Sequence, residues 1–232
     1  MSVPLDFEQL YRGNAPSARS GVVPWDIGEP QPLLVEVEAA GEVRGEVLDA
    51  GCGLGDNTLF LAGRGYSVTG IDSAPTAVER ARARCRDQGL PAAFAVADAT
   101  RLDGFTDRFD TVIDSALYHC LGDDQQRAYA AALHRACRPG ATLHLFCRSD
   151  HLHADLPGPR ALGEPNVRGP FRAGWRINRL RHRSYTTALT SDMLVRAAAE
   201  AGGPAPDPER LPLDERGRYL MPVWQLSAVR EP

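Results

Sequence analysis

The run Val47-Leu48-Asp49-Ala50-Gly51-Cys52-Gly53-Leu54-Gly55 constrains this chain more than any other stretch: strand-like residues break into three alternating glycines with an acid just before them. Glycines at that spacing permit a tight turn and let backbone N–H groups approach a ligand closely, and Asp56-Asn57-Thr58 can cap a helix starting there. Twenty-one residues after Gly51, Asp72 ends a second strand-like run, Tyr66 to Ile71. An acid so placed can accept both hydroxyls of a ribose. The dinucleotide fingerprint needs a third glycine three residues after the second, but Asp56 or Thr58 stands there, so a pyrophosphate cofactor is disfavoured.

The chain's 232 residues suffice for one sizeable core, and no second domain is required. A net charge of -4 argues against a general nucleic-acid binder. All 26 basic residues are arginine, so lysine chemistry of the Schiff-base and P-loop kinds falls away. The cysteines Cys52, Cys85, Cys120, Cys137 and Cys147 are odd in number and scattered, without a Cys-x-x-Cys pair, which argues against a disulfide framework or a zinc site. Acids at Asp6 and Glu8 stand where a leader would be basic and then apolar, and no apolar run approaches membrane-spanning length. A cytoplasmic protein with no membrane partner is expected.

Short apolar runs at Glu46–Ala50, Tyr66–Ile71, Ala92–Ala97, Phe109–Ile113 and Ala141–Cys147 alternate with helix-period stretches at Asn57–Gly63, Ala74–Gln88 and Asp124–Cys137. That alternation calls for an α/β fold, doubly wound, with helices on both faces of a parallel sheet. A further helix is expected at Pro30–Ala39, and a loop at His151–Pro170 over the carboxyl edge. Trp175–Tyr185 and Tyr219–Val229 read as closing strands around a helix-like Asp192–Ala201. The whole of 1–232 reads as one domain, with an N-terminal segment 1–30, a core 41–148 and a remainder 149–232.

The acid-x-Gly-x-Gly-x-Gly run from Asp49 resembles motif I of the class I S-adenosylmethionine-dependent methyltransferases, whose glycine turn wraps the methionine portion of that cofactor. Acids also close the third strand in Val96-Ala97-Asp98-Ala99 and the fourth in Val112-Ile113-Asp114-Ser115, and Arg138-Pro139-Gly140 matches a turn that recurs before the fifth strand of these enzymes. The resemblance implies a Rossmann-like, seven-stranded, mostly parallel sheet with an antiparallel C-terminal strand. It implies a ribose contact at Asp72 with Ser73 beside it, an adenine contact at Asp98 with Ala99, and a methionine-side contact at Asp114 and Ser115, alongside Asp49, Gly51 and Gly53. The segment Val23-Pro24-Trp25-Asp26-Ile27-Gly28 is similar to the Pro-Trp-Asp-x-Gly segment of the thiopurine, thiol and halide methyltransferase group and of relatives acting on phenolic or heterocyclic hydroxyls. There the tryptophan lies beside the cofactor and a preceding helix forms a lid, which implies that Trp25 does so here and that Phe7 and Tyr11, on Leu5–Arg12, face the acceptor.

The chemistry expected is attack on a sulfonium methyl by a small-molecule acceptor held in a dry pocket. His119, five residues after Asp114, is the candidate base, and Tyr118 the candidate pocket wall or acceptor contact. His144, Cys147, His151 and His153 invite a metal reading, but no carboxylate cluster accompanies them, and no metal is expected. The arginines between Arg168 and Arg183 read as a solvated strand face, with recognition of an acidic acceptor as the alternative. The expected function is methyl transfer to an aromatic or heterocyclic hydroxyl; the alternatives are a thiol or halide acceptor, or a cofactor-binding protein that transfers no methyl group.

Overall fold

The computed structural model describes residues 6–14, 22–151, 158–200 and 202–232. Its centre is a seven-stranded sheet in the order β3-β2-β1-β4-β5-β7-β6. The strands are β1 Glu46–Ala50, β2 Ser67–Asp72, β3 Ala93–Val96, β4 Phe109–Ser115, β5 Cys137–Arg148, β6 Trp175–Thr190 and β7 Arg218–Arg230. β1 to β5 pair in parallel. β7 lies antiparallel between β5 and β6, so the expected closing pair is present.

The side-chain alternation of the central strands divides the core between two faces. Leu48, Val112 and Leu145 pack on the side of α5 (Asp123–Ala136), where Tyr129 and Leu133 meet Phe109 and Trp175. Val47, Ile113 and Phe146 point the other way, onto Leu33, Leu34 and Val37 of α2 (Pro32–Ala39) and onto Leu61 of α3 (Asp56–Gly63). Helices α3 and α4 (Pro75–Asp87) follow β1 and β2 directly, so the ends of those strands and the starts of those helices meet at one edge of the sheet.

One stretch differs from expectation. The region read as a loop contains a helix, α6 (Glu164–Arg168), and a 3₁₀ turn, Gly169–Phe171. Pro165 suits the first turn of a helix, and buried Val167 and Phe171 anchor the pair to the core. The basic run of β6 keeps the solvated face expected of it, with some of its arginines also paired within the chain. Arg183 pairs with Glu36 and Arg179 with Glu42, while Arg181 bonds Gln225. These bonds tie β6 to the α2 side of the molecule.

Candidate active site

The glycine turn is built by left-handed backbone at Gly51 and Gly53, with φ of 73° and 52°. The N–H groups of Gly51 and Cys52 both donate to the Ile71 carbonyl at 2.8 Å, pinning the end of β1 to β2. Asp49 is buried behind the turn, where its Oδ2 accepts from Thr58 Oγ1 at 2.6 Å and so holds the first turn of α3. Burial lifts its carboxyl to about 6. In front, Asp72 accepts from Gly53 N–H at 3.0 Å and from Ala74 N–H at 2.9 Å. Each of its carboxylate oxygens retains capacity for a further donor.

A roof covers this turn. Trp25 Nε1 donates to the Tyr11 hydroxyl at 2.9 Å, and that hydroxyl lies 2.7 Å from where a Cβ on Gly53 would stand. Phe7 packs on Trp25 with ring centroids 5.7 Å apart, and Glu8 accepts from Thr76 N–H at 3.0 Å and Oγ1 at 2.7 Å. These contacts fasten α1 (Phe7–Tyr11) to the start of α4. The strap from Val22 to Gln31 is held at its other side by Ala188 N–H donating to the Pro24 carbonyl at 2.8 Å and by Arg218 on Glu29 at 2.7 Å. Roof and turn border a cleft, lined by Tyr11, Trp25, Asp26, Glu29, Gln31, Gly51, Cys52, Gly53, Leu54, Asp56, Asn57, Ser115 and Tyr185. Tyr11 and Trp25 stand over the glycine turn, whereas Phe7, expected to face the acceptor, packs on Trp25 and is not among the cleft residues.

The fourth-strand residues behave differently from expectation. Ser115 lines the cleft, with its hydroxyl 2.9 Å from that of Tyr185. Asp114 is fully buried and turns back, accepting from the N–H groups of Leu117 and Tyr118 at 3.0 and 3.2 Å, with the Tyr129 hydroxyl beside it. Ala116 makes this possible by adopting a left-handed φ of 77°. Tyr118 is fully buried and donates to the Asn166 carbonyl at 3.0 Å, so it is a core residue and not a pocket wall. His119 is also buried, and its Nδ1 accepts from Arg148 N–H at 3.2 Å. Burial pushes its pKa down to about 3, so the ring is neutral and its one proton sits on Nε2. With its free lone pair already engaged, His119 is not placed to take a proton from an acceptor. At the neighbouring strand end, Asp98 is exposed and accepts from Thr100 N–H and Oγ1 at 2.8 and 2.6 Å, Ala99 packs against the core, and Ser73 is exposed beside Asp72.

The residues of the metal reading are apart. His144 bonds the Glu42 carbonyl, Cys147 is buried in the core and His151 stacks on His182, while His153 lies outside the described residues. Tyr185, Gln31 and Glu29 are among the cleft residues that sequence reasoning passed over. Tyr185 reaches Ser115 from 70 positions away through the pairing of β6 with β7, and no local pattern marks it.

The buried Asp114 carries a pH signature. Burial raises its carboxyl from 3.8 to about 7, so folding favours the protonated form. Its stabilising contribution is complete below pH 3.8 and is lost as pH rises through 7. Asp114→Asn keeps an acceptor for Leu117 and Tyr118 without the charge. In urea unfolding, the variant should gain on wild type between pH 4.5 and pH 8 by on the order of 2–4 kcal/mol. A difference that does not change with pH would show that the carboxyl ionises in the fold without penalty.

A family described as a methyltransferase domain matches residues 47–140. The 2-heptyl-1-hydroxyquinolin-4(1H)-one methyltransferase of Mycobacteroides abscessus is 37% identical over 174 residues, which are 74% of this chain and 77% of that protein. The chain belongs to the class I S-adenosylmethionine-dependent methyltransferases. A solved structure concerned with conversion of a disulfide bond into a thioacetal group during echinomycin biosynthesis superposes on this methyltransferase with a TM-score of 0.80 and 38% identity, covering 97% of this chain and 91% of that one. A probable thiol methyltransferase 2 of Arabidopsis thaliana is 28% identical over 132 residues, 55% of this chain and 57% of the plant protein.

The site fits the family's cofactor. The lack of a side chain on Gly53 lets Tyr11 close against the turn, and Asp72 offers the acceptor capacity that ribose hydroxyls need.

Proposed function

We propose that this methyltransferase acts on the hydroxyl of a small aromatic or heterocyclic compound. The observation that carries this reading is the 37% identity, across most of both chains, to an enzyme whose name gives a hydroxyquinolinone as its acceptor. Bound S-adenosylmethionine supplies a sulfonium methyl electrophile. The chain would hold the acceptor oxygen toward that methyl, with no imidazole in the cleft to take the acceptor's proton. The contribution of the chain is placement and dryness. Trp25 and Tyr11 cover the turn, Ser115 and Tyr185 present two paired hydroxyls at the end of β4, and Asp72, beside the turn with acceptor capacity to spare, would hold the nucleoside end.

With His119 turned into the core, no imidazole is among the cleft residues. That favours acceptors that ionise readily over simple phenols, whose pKa lies near about 10. It also supports a second reading, a sulfur acceptor, since thiols ionise near about 8.5. The thioacetal-related structure, similar over 97% of this chain, favours that reading.

The test is transfer of a labelled methyl group from S-adenosylmethionine to pooled phenols, hydroxyquinolines, thiols, carboxylates and iodide, with products identified by mass. Transfer to the hydroxyquinoline pool is expected. Transfer confined to thiols would move the assignment to sulfur, and tight S-adenosylhomocysteine binding with no transfer to any pool would favour a cofactor-binding protein.

A further inference from the structure

One wall of the cleft gathers hydrogen-bond acceptors, Gln31, Asp26 and Asp56, beside Asn57, whose side-chain oxygen accepts from Gln31 N–H at 3.0 Å. Gln31 is 3% exposed, and its Nε2 donates to the Thr186 carbonyl at 3.0 Å, which fixes the orientation of the amide. The amide oxygen on the other fork is buried with no hydrogen-bond partner among the described residues. A buried acceptor left unmatched is destabilising, so its retention at a cleft wall points to a ligand donor. Asp26 and Asp56 line the same cleft with their carboxyl groups against each other. Asp26 otherwise receives only the Gly28 N–H, at 3.3 Å. The nearest guanidinium, Arg84, is already bonded to Asp56 and to the Leu54 carbonyl at 2.5 and 2.7 Å. A compact cation with several N–H donors satisfies such a wall: it meets the buried oxygen and relieves the repulsion between the carboxylates.

The glycine turn, which by the resemblance would wrap the methionine portion of the cofactor, forms the adjoining floor. We propose that Gln31, with Asp26 and Asp56, receives the α-ammonium group of the cofactor's methionine portion, so that the strap distinguishes an amino-acid-bearing nucleoside from one without it. This inference rests on the reading of the turn as a S-adenosylmethionine site. It makes Gln31 a cofactor-binding residue that also positions the strap through Thr186.

Calorimetry with three ligands decides the matter: S-adenosylhomocysteine, its α-deaminated analogue, and 5′-methylthioadenosine, which lacks the amino-acid portion. Wild type should bind S-adenosylhomocysteine at least about tenfold more tightly than the deaminated analogue, the size expected of a charge-assisted hydrogen bond. Gln31→Met removes the ammonium contact and the Thr186 bond together, so that gap should shrink severalfold, while any change in methylthioadenosine affinity reports the loss through the strap alone. Asp26→Asn, which leaves the Gln31–Thr186 bond intact, should also narrow the gap. Equal binding of S-adenosylhomocysteine and its deaminated analogue by wild type overturns the inference and leaves the cofactor reading standing. A gap unchanged in both variants overturns it too. Failure of wild type to bind any of the three overturns the cofactor reading and the inference together.

Discussion

Replacing Asp72 by alanine should lower affinity for S-adenosylhomocysteine by roughly 10- to 150-fold, the loss expected when hydrogen bonds to a charged acceptor are removed. Asp72 sits at the end of β2, joined to Gly53 and Ala74 N–H groups, and its remaining lone pairs are the acceptors at this edge suited to a pair of ribose hydroxyls. Because the same carboxylate organises the glycine turn and the start of α4, part of the loss would reach the ligand through the backbone. Asp72→Asn separates the two effects. It preserves one acceptor oxygen for the turn while removing the charge, so its affinity should fall between those of wild type and Asp72→Ala. Titration calorimetry checks both, and unchanged affinity in Asp72→Ala would remove the ribose role.

Gly51→Ala should be the most damaging small substitution in the site. The residue has φ of 73°, and a Cβ there would stand 2.9 Å from the Leu117 Cβ. Leu117 cannot yield easily, because its N–H is held by buried Asp114 at 3.0 Å. Left-handed strain and the collision together should cost about 2–4 kcal/mol, a fall in Tm of roughly 4–16 °C for a chain of this size. Gly41→Ala is the internal control. Gly41 has φ of 69° but nothing within 4 Å of an added Cβ, so it reports the backbone strain alone. If the two variants melt together, the contact with Leu117 relaxes and the strain accounts for the whole effect.

The parts of the site readable in the sequence are those written by neighbours along the chain. Glycines at 51, 53 and 55 dictate a turn wherever they follow a strand, and Asp72 falls at the same edge because parallel strands align their carboxyl ends. Trp25 was legible from its flanking Pro-Trp-Asp-x-Gly pattern, and the structure puts it over Gly53. The misreadings cluster just past β4. An acid, a tyrosine and a histidine there appear equally available to a ligand, but a single left-handed alanine, Ala116, folds Asp114 back onto Leu117 and Tyr118 and carries Tyr118 and His119 into the core. Alanine gives no sign of that geometry, which glycine or asparagine would have announced. Gln31 and Tyr185 were illegible for a different reason. Their roles depend on β6 reaching the strap, and that contact joins positions 155 residues apart.

The bonds from Pro24 to Ala188, Gln31 to Thr186 and Glu29 to Arg218 make the cover of the cofactor cleft and the outer strands one mechanical unit. Tyr185 sits in the same stretch of β6 and borders the cleft. An acceptor that pressed on β6 would therefore be felt by the strap, and linkage would then require the reverse, that a filled cofactor site alter acceptor affinity by the same factor. Exchanging the outer strands to admit a different acceptor would consequently retune the hold on the methyl donor as well.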